Sequence, residues 1–117
     1  MIRWLMVALQ TAIAMLIAGC PDMKRVCMRA EARTAAKVEI SFCGESPELN
    51  SIRVTRDGKL VWDVGTRTRA TPLDKIVYGV DPPGFESGGF APLKAGDHIR
   101  ISARGPGKNG SIEVVVE

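Results

Sequence analysis

The strongest constraint on the fold is "CMRAEARTAAKVEISFC", residues 27–43, where two cysteines bracket two alternating segments. In both segments apolar residues alternate with polar ones, and a period of two predicts half-buried strands. A turn centred on Ala35 pairs the apolar residues on one face: Ala32 with Val38, Ala30 with Ile40 and Met28 with Phe42. The same register puts Cys27 opposite Cys43 on the other face. Opposed Cα atoms in such a ladder lie ~4.5–5.5 Å apart, within disulfide range.

Two observations oppose this hairpin. The register places Glu31 opposite Glu39 and Arg33 opposite Lys37, and like charges directly opposed are unfavourable. In addition, residues 22–36 are rich in helix-forming side chains and begin with Asp22, a good helix N-cap. We favour a strand because it aligns three apolar pairs and both cysteines at once, while a helix over residues 22–36 stays open at this stage.

The chain begins with Arg3 and an apolar stretch from Trp4 to Ala18, which ends in small residues. A membrane-spanning helix needs ~20 apolar residues, so this stretch is short for one. A charged start, an apolar middle and a small-residue end are typical of a secretory signal. The alternative is a helical anchor that is not cleaved.

The end of this stretch, Ile17-Ala18-Gly19-Cys20, resembles the lipobox of bacterial lipoproteins. The resemblance implies that the Cys20 thiol carries diacylglyceride, that cleavage occurs before Cys20, and that the new amine is acylated, for example with palmitate. It divides the chain into a helical signal peptide (1–19), a short membrane tether (20–25) and a domain (26–117). The expected location is the cell envelope, facing the periplasm or the surface. The outer membrane is slightly favoured because Pro21 is not the aspartate that retains such proteins at the inner membrane of enteric bacteria, while Asp22 at the next position leaves inner-membrane retention open for other bacteria.

If Cys20 carries lipid, Cys27 and Cys43 remain as a pair in an exported domain. Cysteines in an oxidising compartment persist as disulfides, and an even number indicates complete pairing. A disulfide that closes a loop of this length stabilises the fold by about 3 kcal/mol on the chain-entropy model.

The rest of the chain also favours strands. "SIRVTRDGKLVWDV", residues 51–64, predicts a hairpin with a three-residue loop, Arg56-Asp57-Gly58, with Gly58 left-handed. Its apolar pairs are then Ile52 with Trp62 and Val54 with Leu60. Near the C-terminus, Ile101 is expected opposite Val114. About seven short strands predict an all-β domain, a small antiparallel two-sheet sandwich that resembles immunoglobulin-like and fibronectin-like domains.

No catalytic constellation is evident. His98 is the only histidine, and no serine lies in a nucleophile-elbow pattern. The sequence also lacks a close Cys/His/Asp cluster and a phosphate loop, so we expect no enzyme, metal or cofactor. A small hydrolase would have to bring His98 together with an acid and a hydroxyl.

Arg3 is the one basic residue before Cys20, which leaves 15 basic against 13 acidic residues. This near-neutral balance does not indicate a nucleic-acid partner. The densest basic region, "RVTRDGK" to "TRTR", contains Asp57 and Asp63, and we interpret it as a solvated surface.

One segment is a candidate for recognition: "DPPGFESGGFAPLKAGD", residues 81–97, the longest irregular stretch. Phe85 and Phe90 lie there among glycines and prolines, either on a partner-binding loop or folded into the core. The expected function is that of a non-catalytic binding or scaffolding module, held at the membrane by its N-terminal lipid, for another envelope component. The alternative is a protective inhibitor or immunity protein, similar to lysozyme inhibitors, which inserts a loop into an enzyme.

Overall fold

The computed structural model describes residues 23–117, and every regular element in that part of the chain is a strand. The strands are β1 (Lys24–Arg25), β2 (Met28–Arg33), β3 (Val38–Phe42), β4 (Glu48–Leu49), β5 (Ser51–Arg56), β6 (Lys59–Thr66), β7 (Thr71–Pro72), β8 (Lys75–Val77), β9 (Phe85–Phe90), β10 (His98–Gly105) and β11 (Lys108–Val115). The all-β prediction is therefore confirmed, and the helical alternative is wrong for the described part of residues 22–36. Eleven strands replace the expected seven, although β1, β4 and β7 have only two residues each.

The strands form three sheets. The large sheet has the order β1-β11-β10-β5-β6-β9, the small sheet has the order β2-β3-β8, and β4 pairs with β7. All neighbours are antiparallel except β1 and β11, which run parallel.

The β2–β3 hairpin confirms most of the predicted register. Met28 lies opposite Phe42 and Ala30 opposite Ile40, and the structure joins Cys27 to Cys43 with Cα atoms 5.3 Å apart. The predicted pair of Ala32 with Val38 is wrong, because the register shifts between Ala30 and Ala32.

This shift removes the opposed like charges. Glu31 is the extra residue of a β-bulge, and its carboxylate accepts a hydrogen bond from the Ser41 hydroxyl at 2.5 Å. Glu39 now faces Ala32 and lies 3.5 Å from the Lys37 amine and 3.6 Å from the Lys75 amine. The bulge thus exchanges an unfavourable carboxylate pair for local ion pairs.

The β5–β6 hairpin differs from the prediction. Its turn contains two residues, Asp57 (φ 52°) and Gly58 (φ 79°), between the paired residues Arg56 and Lys59. Positive φ at both central positions is the type I′ geometry, which matches the twist of the flanking strands. The predicted left-handed Gly58 is confirmed, but the three-residue loop is wrong.

A second β-bulge, at Val61, shifts the register so that the apolar residues of β5 and β6 lie opposite one another. Ile52 lies opposite Val64 and Val54 opposite Trp62, so the predicted partners Trp62 and Leu60 are wrong. Leu60 pairs with Thr55 instead and is exposed.

In the last hairpin a turn at Pro106-Gly107 places Ile101 opposite Ile112 and Ile99 opposite Val114, so the predicted pairing of Ile101 with Val114 is wrong. The error is two residues along the strand. Because side chains alternate with a period of two, the predicted apolar faces are still the inner ones.

One hydrophobic cluster contains residues of all three sheets. The large sheet contributes Ile52, Val54, Trp62, Val64, Phe85, Ile99, Ile101, Ala103 and Val114, the small sheet Val38, Ile40 and Ile76, and β4 Leu49. Tyr78, after β8, donates its backbone N–H to Val38 and packs edge-to-face on Trp62 with ring centroids 5.4 Å apart. The described residues therefore contain the core and the disulfide that hold the fold together.

Strand β1 consists of two residues that the sequence assigns to the tether. The Lys24 N–H donates to Gly107 at 3.0 Å and the Val26 N–H donates to Asn109 at 2.8 Å. The folded part thus reaches Lys24, two residues before the predicted start at Val26. The predicted signal peptide and lipidated Cys20 lie outside the described residues.

Candidate anion-binding site

An open groove of about 780 Å³ lies on the outer face of the large sheet. Its polar lining consists of the arginines Arg25, Arg53, Arg100 and Arg104 and of Ser51, Thr55, Ser102, Asn109 and Ser111. We call this surface the arginine groove.

Strand alternation explains why these side chains share a face. In β10 the inward residues Ile99, Ile101 and Ala103 are buried, so Arg100, Ser102 and Arg104 point outwards. The ladders arrange the outer residues in rows across the sheet. The first row is Arg25, Asn109, Arg104 and Ser51, the second is Ser111, Ser102, Arg53 and Asp63, and the third is Glu113, Arg100 and Thr55.

The charges of the groove are incompletely balanced. Arg53 lies 3.5 Å from the Asp63 carboxylate, and both side chains are largely exposed. Among residues 23–117, Arg25, Arg100 and Arg104 have no carboxylate within ion-pair distance. Glu113 lies opposite Arg100 in the ladder without forming such a pair.

This combination of side chains is suited to anions. A guanidinium offers several donors in a planar fork that matches carboxylate and phosphate oxygens. The neighbouring serine hydroxyls and the Asn109 amide add neutral donors at the same surface. The groove thus presents donors and positive charge to a ligand on an open sheet face.

His98 lies at the far end of β10, exposed, in a second groove of about 570 Å³ that also contains Thr55, Asp57 and Glu113. Within the described residues no hydrogen bond joins the His98 imidazole to an acid or a hydroxyl. An acid and a hydroxyl, which the hydrolase hypothesis requires, line the same groove as His98 without a hydrogen bond to its ring. The described residues also contain no cluster of three or more side chains able to hold a metal ion.

The two phenylalanines of the candidate recognition segment separate. Residues Phe85–Phe90 form β9, which pairs with β6, so the prediction of an irregular stretch is wrong for them. Phe85 is 4% exposed and belongs to the core, whereas Phe90 is 53% exposed. The Phe90 ring packs edge-to-face on Tyr78, with centroids 5.6 Å apart. This contact gives Phe90 a packing role at the surface.

Tyr78 connects this surface to the core. Its hydroxyl donates to the Ala91 carbonyl at 2.6 Å. Burial raises the pKa of Tyr78 above its ordinary value of 10.0, and the opposing effects of the Arg56 charge and the Ala91 hydrogen bond are smaller. The phenol is therefore a neutral, structural donor at physiological pH.

The arginine groove is the feature that sequence reasoning missed. Alternation in "HIRISARG" already places Arg100 and Arg104 on one polar face. Arg53, however, belongs to the region interpreted as a solvated surface, and its proximity to β10 follows only from the pairing of β5 with β10.

Comparisons of the chain with protein-family models, with curated proteins and with solved structures find no match. In the part of the chain that the structure describes, no helix has the length and apolar character needed to cross a membrane.

Proposed function

We propose that the protein is a lipid-anchored component of the bacterial cell envelope whose β domain is a non-catalytic binding module. Its binding surface is the arginine groove, and its partner there is an anionic envelope component. The observation that carries this proposal is that Arg25, Arg100 and Arg104 share one outer face and have no carboxylate within ion-pair distance among residues 23–117.

The anchor is supported by the lipobox resemblance at residues 17–20. Two or more acyl chains hold a protein stably at a membrane, whereas a single chain gives marginal binding. The domain would face the periplasm or the cell surface, with the outer membrane favoured over the inner one.

We also propose that the large and small sheets are the two layers of a sandwich. The single core that both sheets share supports this arrangement, because two stacked sheets bury their inner faces against one another. The more specific immunoglobulin-like topology stays a prediction.

The inhibitor alternative has less support. It requires a protruding loop, and the candidate recognition segment contains β9, with Phe85 buried in the core and Phe90 packed on Tyr78. An open sheet face with unpaired arginines favours a binding module instead.

Affinity for an immobilised sulfated polysaccharide, used as a generic polyanion, tests the groove. Arg53→Gln combined with Arg100→Gln should weaken binding at least about tenfold, because each removes charge-assisted hydrogen bonds. Arg29→Gln combined with Lys59→Gln removes the same charge from exposed positions outside the groove and is the matched control. Equal weakening by both variants would contradict a localised site.

Incorporation of labelled palmitate tests the anchor. The wild-type protein should be labelled and recovered with membranes, and Cys20→Ser should abolish the labelling. Unchanged labelling of the Cys20→Ser variant would refute lipidation at this residue.

A further inference from the structure

The chain enters the large sheet at a basic end. Strand β1 lies beside the β10–β11 turn, where Lys24 is the ladder partner of Lys108 and Arg25 is the partner of Asn109. Arg104 faces Asn109 from the other side. We call Lys24, Arg25, Arg104 and Lys108 the N-terminal basic cluster; Arg25 and Arg104 also line the arginine groove. None of the four has a carboxylate within ion-pair distance among residues 23–117.

The chain between this cluster and Cys20 is short. Only Pro21, Asp22 and Met23 separate Cys20 from Lys24. Four residue steps span at most about 14 Å when fully extended. A lipid on Cys20 therefore holds the basic end of the sheet within about 14 Å of the membrane interface.

We propose that the anionic component bound by the arginine groove is the phosphate headgroup layer of the membrane that carries the Cys20 lipid. The N-terminal basic cluster contacts the headgroups first, and the groove continues this contact along the sheet face. This inference rests on the proposed lipid anchor and names the partner of the same site.

The distribution of charge along the outer face agrees with this orientation. The first row of the groove, at the end where the chain enters, contains two arginines and no acid. Asp63 lies in the second row and Glu113 in the third, farther from the anchor. The row nearest the anchor thus contains no acid, and the two acids of this face lie in the rows beyond it.

Two further features fit a headgroup contact. Each lysine or arginine close to an anionic membrane surface strengthens attachment about fivefold, so four acting together have a large effect. Met23, which precedes β1, is 52% exposed and lies with its sulfur 3.8 Å from the Asn109 amide nitrogen. It provides an apolar side chain at the same end of the sheet.

Vesicle co-sedimentation tests the inference without the lipid. The chain from residue 20 to residue 117 with Cys20→Ser contains every described residue, including the core and the disulfide. Its binding is measured on phosphatidylcholine vesicles with and without phosphatidylglycerol. We expect binding at least about tenfold stronger on the anionic vesicles, which decreases with salt.

The decisive variant replaces Lys24, Arg25, Arg104 and Lys108 with glutamine. The matched control replaces Arg29, Arg33, Lys59 and Lys94 with glutamine. It removes the same number of arginines and lysines, and all four control residues are exposed and lie outside the cluster and the groove. Fluorescence of the buried Trp62 verifies that each variant is folded. The first variant should lose the preference for anionic vesicles, and the control should keep it.

Equal loss in both variants would overturn the inference, because net charge alone would then explain the binding. Wild-type protein that binds the sulfated polysaccharide through the groove but not the anionic vesicles would also overturn it, and would leave the proposed function standing. Failure to bind either probe would overturn both.

Discussion

Asp97 fastens the segment before β10 to the β5–β6 hairpin. Its carboxylate accepts hydrogen bonds from the Lys94 N–H at 2.8 Å and from Arg56 at 3.1 Å. The same Arg56 group donates to the Pro92 carbonyl at 3.0 Å. The Lys94 hydrogen bond, followed by the hydrogen bond and charge of Arg56, lowers the pKa of Asp97 below its ordinary value of 3.8.

This lowered pKa predicts a pH-dependent contribution to stability. Because the folded state favours the charged carboxylate, the contribution is complete above the unfolded-state pKa and is lost as pH falls below 3.8 through the folded-state pKa. Asp97→Asn should therefore lower the free energy of unfolding at neutral pH, and the difference from wild type should shrink on acidification. Urea unfolding of wild type and variant, at neutral pH and again at a pH below 3.8, measures this difference in the free energy of unfolding. A pH-independent difference would show that Asp97 acts through shape alone.

At the scale of elements, alternation predicts which face of a strand is buried but does not reveal bulges. The inner faces of β3, β10 and β11 were predictable, as was the pairing of Ala30 with Ile40. The bulges at Glu31 and Val61 were not. The conflict between Glu31 and Glu39 is visible in the sequence, but the sequence does not show which residue is left unpaired to relieve it. The two-residue turn and the bulge at Val61 each shift the later pairs by one residue, so together they move the partners of Ile52 and Val54 by two positions.

The arginine groove escaped prediction for a different reason. Its residues come from β1, β5, β10 and β11, strands that are distant in sequence and that meet only through the order of the large sheet. Local patterns assign Arg53 and Arg104 to polar faces but contain no information on which strands are neighbours. Adjacency, and hence any site built across strands, requires the topology.

The type I′ turn of the β5–β6 hairpin gives a prediction at this scale. Gly58→Ala should lower the free energy of unfolding by about 1–2 kcal/mol. Gly58 has φ 79°, and in this left-handed conformation the Cβ atom of an alanine comes too close to the backbone. An added methyl group meets nothing within 4 Å, so the cost is conformational. Gly88→Ala is the control, since its φ is not left-handed and its surroundings are equally open. Equal effects of the two variants on urea unfolding would contradict this account of the turn.

At the scale of the whole molecule, the sheets are linked at several points. The backbone N–H of Glu117, which follows β11 of the large sheet, donates to the carbonyl of Arg33 in β2 at 2.6 Å. Tyr78 joins the small sheet to Trp62 of the large one. With a shared core and these links, we expect the described domain to unfold in one cooperative transition, as small single domains do.

Removal of the disulfide tests this cooperativity. Cys27→Ser combined with Cys43→Ser should lower the free energy of unfolding by about 3 kcal/mol, since the unfolded chain gains loop entropy. With a urea dependence of about 1–1.5 kcal/mol per molar, the midpoint should fall by roughly 2–3 M. Trp62 is the tryptophan to follow, because it is 1% exposed and Trp4 belongs to the predicted signal peptide.

The position of the reporter makes this experiment informative about the whole molecule. The disulfide joins the two strands of the β2–β3 hairpin in the small sheet, whereas Trp62 lies in β6 of the large sheet. If the sheets share one core, the Trp62 fluorescence midpoint must shift by the same amount as the far-ultraviolet circular dichroism midpoint. The opposite result is a Trp62 midpoint that stays at the wild-type value while the circular dichroism transition splits into two steps. It would show that the sheets unfold separately, and it would exclude a two-layer sandwich that unfolds as a single cooperative unit.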